Sequence, residues 1–200
     1  MSSKIKLIVG LGNPGLEYSD TRHNAGFWFL DRLIATQSAS FSHNKKFFGE
    51  TARFNLEGND CWVLKPETFM NNSGRSIQTM TDYYGIKPNE TLVAHDEIDL
   101  EVGMVRIKES GGHGGHNGLK DIIDRIGYKE FLRLRIGVGH PGHKDDVIDY
   151  VLNKPGRTDG IIIREAIDRA LEIIPLLFRG ERNKAMTLLN SARRQDIKDG

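Results

Sequence analysis

Cysteine is almost absent from this 200-residue chain: the one present, Cys61, sits in the apolar run "CWVLK". A disulfide framework is thereby excluded, and a small side chain among apolar neighbours reads as a buried hydrophobe rather than a reactive thiol. Long apolar runs are missing too. None approaches the ~20 residues needed to cross a bilayer, and the opening "MSSKIKLIVGLG" breaks into glycine too soon for a secretory leader. These absences predict a cytoplasmic protein. Charge of one sign is also lacking, with a formal net charge of +1. At 38% hydrophobic and 28% charged residues, the composition excludes a disordered chain and predicts one domain over residues 1–200. Neither an internal repeat nor a low-complexity linker interrupts it.

The balanced total conceals one asymmetry. Arg179, Arg182, Lys184, Arg193, Arg194 and Lys198 crowd the C-terminal segment against only Glu181 and Asp196. By itself this reads equally well as a solvated helix face or as a track for a polyanion.

Two periodicities alternate along the chain. "KIKLIV", "ARFNL", "CWVLK", "TLVAH", "MVRIK" and "LRLRIGV" read as short strands bounded by Gly, Pro, Asn or Asp. "NAGFWFLDRLIA", "SGRSIQTMTDYYGI", "NGLKDIIDRIG" and "DDVIDYVLN" show helical spacing, the second and third closing on glycine. "TDGIIIREAIDRALEIIPLLFRG" predicts a longer helix capped by Thr158 or Asp159 and kinked or ended by Pro175. The short loop between "ARFNL" and "CWVLK" predicts an antiparallel hairpin, and the whole predicts an α/β fold with a mixed sheet flanked by helices on both faces.

"GLGNPG", residues 10–15, satisfies the G-x-G-x-x-G pattern of a dinucleotide-binding turn. Its context does not. Gly15 leads into the polar "LEYSDTRHN" rather than an apolar-faced helix, and the acid about 20 residues on, Asp31, falls inside a helical pattern. The loop can instead present Asn13 at the C-terminal edge of a sheet, where open α/β folds build their sites.

Seven histidines remain to be placed. His113/His116 and His140/His143 have H-x-x-H spacing, yet both pairs lie in glycine or proline with no Cys or Glu at ligand distance, so they make a poor zinc motif. His23, in "DTRHNAG", precedes a helix on the same side of the sheet as Asn13, while "AHDE" ends a strand at Asp96. A histidine held by a carboxylate is a general base. No nucleophile accompanies it, since G-x-S-x-G is absent and Cys61 is mid-strand. Water activated by His23 fits better, with neutral amide donors for the developing oxyanion. Asn13, Asn71 in "TFMNNSG" and Asn117 in "GGHNG" are the candidates, each also readable as a turn or cap.

Together "GLGNPG…TRHNAG", "KPETFMNNSG", "HDEIDL", "GGHGGHNGLKDI" and "RLRIGVGHPG" resemble the bacterial peptidyl-tRNA hydrolase family, from Lys4 to about Asn190. The resemblance implies cleavage of the ester between a peptide and the 3′ end of tRNA by a monomeric, metal-free, cofactor-free enzyme with a single α/β domain. It assigns His23 as base and Asp96 as its orienter. It gives Asn13, Asn71 and Asn117 to substrate and water, Tyr18, Phe69 and Met70 to the cleft wall, and His116 to a gate. Lys108 and Arg135 would clamp tRNA phosphates, and Arg106 stands where many relatives have lysine. The segment 125–131 is slightly short against the family pattern, so Arg135 is aligned through "RLRIG".

Period-two alternation supports the RNA part independently. Arg106 and Lys108 share one strand face, as do Arg133 and Arg135, beside the glycine loop. With the basic C-terminal segment they predict a phosphate track. In the loop itself, Asn117 is expected at or near a helix N-cap, His113 in a structural role, and the glycines close to a bulky substrate. Two other classes remain open at this point. A nucleotide-dependent oxidoreductase rests only on "GLGNPG", and a noncatalytic RNA-binding module only on the basic residues.

Overall fold

In strand β1 (Leu7–Gly10), Leu7 and Val9 face one apolar cluster and Ile8 the other. Strand β4 (Asn59–Pro66) repeats the division with Leu64 against Val63, and β5 (Thr91–Glu97) with Val93 against Leu92 and Ala94. Near-continuous apolar runs of this kind are what a sheet covered on both faces demands.

The computed structural model describes residues 3–191. Among them, β2 (Ser42–Asn44), β3 (Gly49–Leu56), β6 (Val105–Glu109) and β7 (Leu132–Gly137) complete a seven-stranded sheet of order β2-β3-β4-β1-β5-β7-β6. The central strands β4, β1, β5 and β7 run parallel, while the β2–β3–β4 meander and the β6–β7 pair are antiparallel. Helices α2 (Ser73–Tyr84) and α3 (Asn117–Ile126) cover one face through Ile77, Met80, Leu119 and Ile122. The other face is covered by α1 (Ala25–Ala35), α5 (Arg157–Glu172), α6 (Ile174–Phe178) and α7 (Arg182–Ser191) through Phe29, Ile167, Phe178 and Ala185. A five-residue α4 (Val147–Val151) stands at the rim.

The predicted hairpin and mixed sheet are both observed. Two predicted boundaries change. Gly156, not Thr158 or Asp159, caps α5, because the amide of Gly160 already bonds the Gly156 carbonyl at 2.9 Å; Asp159 instead adds negative charge to the first turn, where the helix dipole favours it. The predicted long helix is divided at Ile173, since Pro175 has no N–H to continue the ladder. Strand β2 had no legible pattern of its own. Cys61 is fully buried, and burial pushes its thiol pKa upward, as a structural cysteine requires.

Helix α7 closes the outer edge of β6. Asn190 accepts from the amide of Ile107 at 2.9 Å and donates to its carbonyl at 3.1 Å, standing in for a further strand at an edge that no other strand pairs among the described residues.

Candidate active site

The site forms where the carboxyl ends of β1, β4 and β5 meet the turns that follow them. Gly10 and Gly26 make this possible. A Cβ at Gly26 would lie 2.4 Å from both the Ala94 carbonyl oxygen and the Leu11 amide, and one at Gly10 would lie 2.3 Å from the Gly26 oxygen. The first turn of α1 therefore presses directly onto the sheet, which sets the preceding 3-10 turn, Arg22–Asn24, beside the end of β5.

Asp96, 2% exposed, lies at the centre. One of its oxygens, Oδ1, faces His23 Nδ1 at 2.8 Å and His116 Nε2 at 2.9 Å. The protons on these nitrogens follow from their surroundings. His116 Nδ1 accepts from the amides of Gly118 at 3.1 Å and Leu119 at 3.3 Å, so its Nε2 is the donor to Asp96. His23 likewise donates through Nδ1, and its Nε2 is left with a free lone pair. Burial opposes ionisation of Asp96, but the two imidazoles outweigh it and hold the carboxyl far below the usual range. Burial also opposes protonation of His23, and here the Asp96 charge and hydrogen bond prevail, raising its pKa above 6.5.

Sequence reasoning expects Asp96 to close a strand and Asn117 to stand at or near a helix N-cap, and both do. Asp96 is buried beneath two rings, and His116 is itself the N-cap of α3, because its ring nitrogen is placed to accept both first-turn amides. Asn117 occupies the first helical position.

Asn13 is fixed with equal economy. Its Oδ1 accepts from the Met70 amide at 2.8 Å, which leaves its NH2 as the donor available to the cleft. The cleft has a volume of about 710 Å³ and is lined by Asn13, Tyr18, His23, Phe69, Met70, Asn71, Asp96, His116 and Asn117. Tyr18 and Phe69 meet edge to face at 6.2 Å between centroids. The opposite wall is the apolar side of α4, with Val147, Ile148 and Val151.

Several participants carried no sequence signal. Asn24 clasps the backbone of Asn13. Arg22 donates to the carbonyls of Tyr150, Asn153 and Lys154, anchoring α4 to the turn that carries His23. His95 is completely buried, and burial together with His116 lowers its pKa to about 3. It is therefore neutral; its Nδ1 donates to the Asp96 carbonyl at 2.7 Å, and its ring meets that of His116 edge-on at 5.0 Å. A buried asparagine or histidine looks in sequence like any other, and only the tertiary partners reveal it.

The basic residues of β6 and β7 do not line the cleft, although Arg135 pairs with Glu97 at its rim. Across the β6–β7 pair Arg106 faces Arg135 and Lys108 faces Arg133. Lys108 is exposed and Arg106 half-buried, whereas Arg135 is held through Nε by Glu97 at 2.9 Å. Arg133 departs from the expected track: it is 3% exposed and donates to the carbonyls of Gly111 and Gly112. The predicted C-terminal track also changes where it is described. Arg179 pairs with Glu57 and Glu181, Lys184 with Glu181, and Arg182 is buried against the carbonyls of Ser3 and Asn89. Arg193, Arg194 and Lys198 lie outside the described residues.

His113 and His140 each accept an amide of their own loop, Gly115 at 3.0 Å and Gly142 at 2.9 Å. Among the described residues, the group of three potential metal ligands gathered within 4.8 Å is His23, Asp96 and His116. Their facing atoms already share two protons. At Gly15 the chain enters a single 3-10 turn, Leu16–Tyr18, so "GLGNPG" opens no phosphate-binding helix.

A family model described as peptidyl-tRNA hydrolase matches residues 7–198. The peptidyl-tRNA hydrolase of Neisseria meningitidis is 51% identical over 191 residues, 96% of this chain and 100% of the relative. That of Xanthomonas oryzae pv. oryzae is 50% identical over 191 residues, 96% of this chain and 98% of the relative. The crystal structure of the Acinetobacter baumannii peptidyl-tRNA hydrolase superposes with a TM-score of 0.93 at 46% identity, covering 96% of this chain and 98% of that one.

Proposed function

Because this chain belongs to the peptidyl-tRNA hydrolase family and cleaves the ester of peptidyl-tRNA, we propose that it does so through a water activated by His23. The observation that carries this reading is the 2.8 Å contact of His23 Nδ1 with the buried Asp96 carboxylate, an acceptor that requires the proton on Nδ1 and so leaves Nε2 to act as the base. Nε2 takes a proton from water as the resulting hydroxide attacks the ester carbonyl, and Asp96 supports the imidazolium. The amide of Asn13, with those of Asn71 and Asn117, donates to the oxyanion without adding charge beside the base. Collapse of the tetrahedral intermediate breaks the bond to the 3′ oxygen of the tRNA, which takes the proton back from His23. Peptide and tRNA leave, and no covalent enzyme intermediate forms.

Lys108, Arg106 and Arg135 bind tRNA phosphates outside the chemical centre, while Tyr18, Phe69 and Met70 hold the acyl end and His116 borders its entrance. The chain acts as a monomer in the cytoplasm, as one domain, with no metal or cofactor. No helix of the described residues is long and apolar enough to cross a membrane. The test is ester cleavage of N-blocked aminoacyl-tRNA and of free aminoacyl-tRNA by wild type and His23→Ala. Wild type cleaves the blocked substrate preferentially; near-normal cleavage by the variant would overturn the mechanism.

A further inference from the structure

The glycine loop between β6 and α3 has little of its own to hold it. Gly111, Gly114 and Gly115 have φ of 134°, 58° and 84°, in the left-handed region. A Cβ at Gly112, Gly114 or Gly115 would meet nothing within 4 Å, so the loop beyond Gly111 faces open space at these positions. Its internal bonds, His116 N–H to the His113 carbonyl at 2.9 Å and Gly115 N–H to the His113 ring, curl the loop without attaching it to anything. Among the described residues, the hydrogen bonds tying 111–115 to the rest of the protein are the two from the Arg133 guanidinium to the Gly111 and Gly112 carbonyls. That guanidinium is buried over the Phe131 ring, at 4.7 Å.

The position of Arg133 gives this tether its consequence. In one direction it faces Lys108 across the strand pair, two rungs from the pairing of Arg106 with Arg135. In the other, the loop it holds ends at His116, the residue that caps α3 and donates to Asp96. We propose that Arg133 is a positioning residue for ester cleavage, fixing the glycine loop so that His116 reaches Asp96 and Asn117 borders the cleft, and joining the cationic strand pair to the catalytic centre. This rests on the assignment of His23, Asp96 and His116 made above.

Arg133→Met keeps the length and loses both donors; Arg133→Lys keeps the charge but cannot fork onto two carbonyls. Both variants are compared with wild type on full-length N-blocked aminoacyl-tRNA and on a minimal substrate, an acylaminoacyl ester of adenosine. Arg133→Met lowers kcat on both substrates alike, by about tenfold, the size of one positioning contact. KM for tRNA and the salt dependence of binding are unchanged. The pH midpoint of kcat/KM moves upward, because Asp96, released by His116, acts on His23 alone. Arg133→Lys shows the same pattern with a smaller loss. A raised KM and flattened salt dependence confined to full-length tRNA would make Arg133 a phosphate contact and overturn the proposal. So would wild-type kcat and pH midpoint in folded Arg133→Met, or in Arg133→Lys should the methionine variant fail to fold. These results are separable from failure of the site reading, which an active His23→Ala would reveal with Arg133 intact.

Discussion

Asn24 holds Asn13 by both ends of its peptide, accepting from the Asn13 amide at 2.8 Å and donating to the Asn13 carbonyl at 3.0 Å. Asn24 follows His23 directly in the chain, and Asn13 follows β1. One buried carboxamide thus fixes the distance between the proposed base and a proposed oxyanion donor. That relation turns two loops into one site.

Asn24→Ala leaves an amide and a carbonyl unpaired in the interior, so it destabilises the fold by about 1–3 kcal/mol. It also lowers kcat on the minimal substrate while leaving tRNA affinity near wild type. Urea unfolding and single-turnover kinetics check both expectations. A variant with undiminished stability and rate would show that Asn13 is fixed by Met70 alone.

The pH dependence carries a sign. As the proposed base, His23 must be neutral to act, and Asp96 raises its pKa above 6.5, so kcat/KM is expected to rise with pH through a midpoint above 6.5. In Asp96→Asn the charge that raises the pKa is gone and the opposing effect of burial remains. The midpoint then falls below the ordinary value while the plateau rate drops. His23→Ala loses roughly 100- to 10,000-fold and retains tRNA binding. An Asp96→Asn midpoint equal to or above that of wild type would contradict the assignment.

How far the site was legible depended on whether its geometry is local. His23, Asp96 and Asn13 stand at the ends of strands or the starts of helices, and period and punctuation place such positions at one edge of a sheet. The roles of Arg133 and His116 were not legible in the same way. Alternation put Arg133 on the face of Arg135, and correctly so, yet the glycine loop folds back over that face and buries it. His116 and Asn117 are adjacent, and asparagine is the better cap by preference. The ring won the position because its other nitrogen is drawn to a carboxylate 20 residues earlier. Both outcomes turn on contacts across the fold, which no local window contains.

Metal removal is expected to change nothing. A divalent ion among His23, Asp96 and His116 would have to replace the two protons that now bridge them, converting the proposed base into a ligand. Exhaustive chelation therefore leaves activity intact, and added zinc inhibits, more strongly as pH rises and His23 loses its proton. Loss of activity on chelation with restoration by stoichiometric zinc, followed by elemental analysis, would refute the metal-free mechanism.

The last expectation separates gripping from cutting. Lys108 is exposed on β6, Arg135 is held beside the cleft rim by Glu97, and neither lines the cleft, which suits the phosphate contacts proposed for them. Each phosphate contact releases condensed counterions, and losing one lowers the magnitude of the log–log salt slope by roughly 0.7–0.9. Lys108→Ala therefore weakens binding of full-length substrate and flattens its salt dependence by about that amount, whereas hydrolysis of the minimal adenosine ester stays near wild type. Arg135→Ala does the same and in addition leaves Glu97 unpaired at 15% side-chain exposure, so its loss of stability exceeds that of Lys108→Ala. Filter binding across a salt series, paired with kinetics on both substrates, reads all of these at once. Equal damage to the two substrates in Lys108→Ala would move that residue into the catalytic centre and erase the division between an asparagine-lined chemical end and a cationic gripping end.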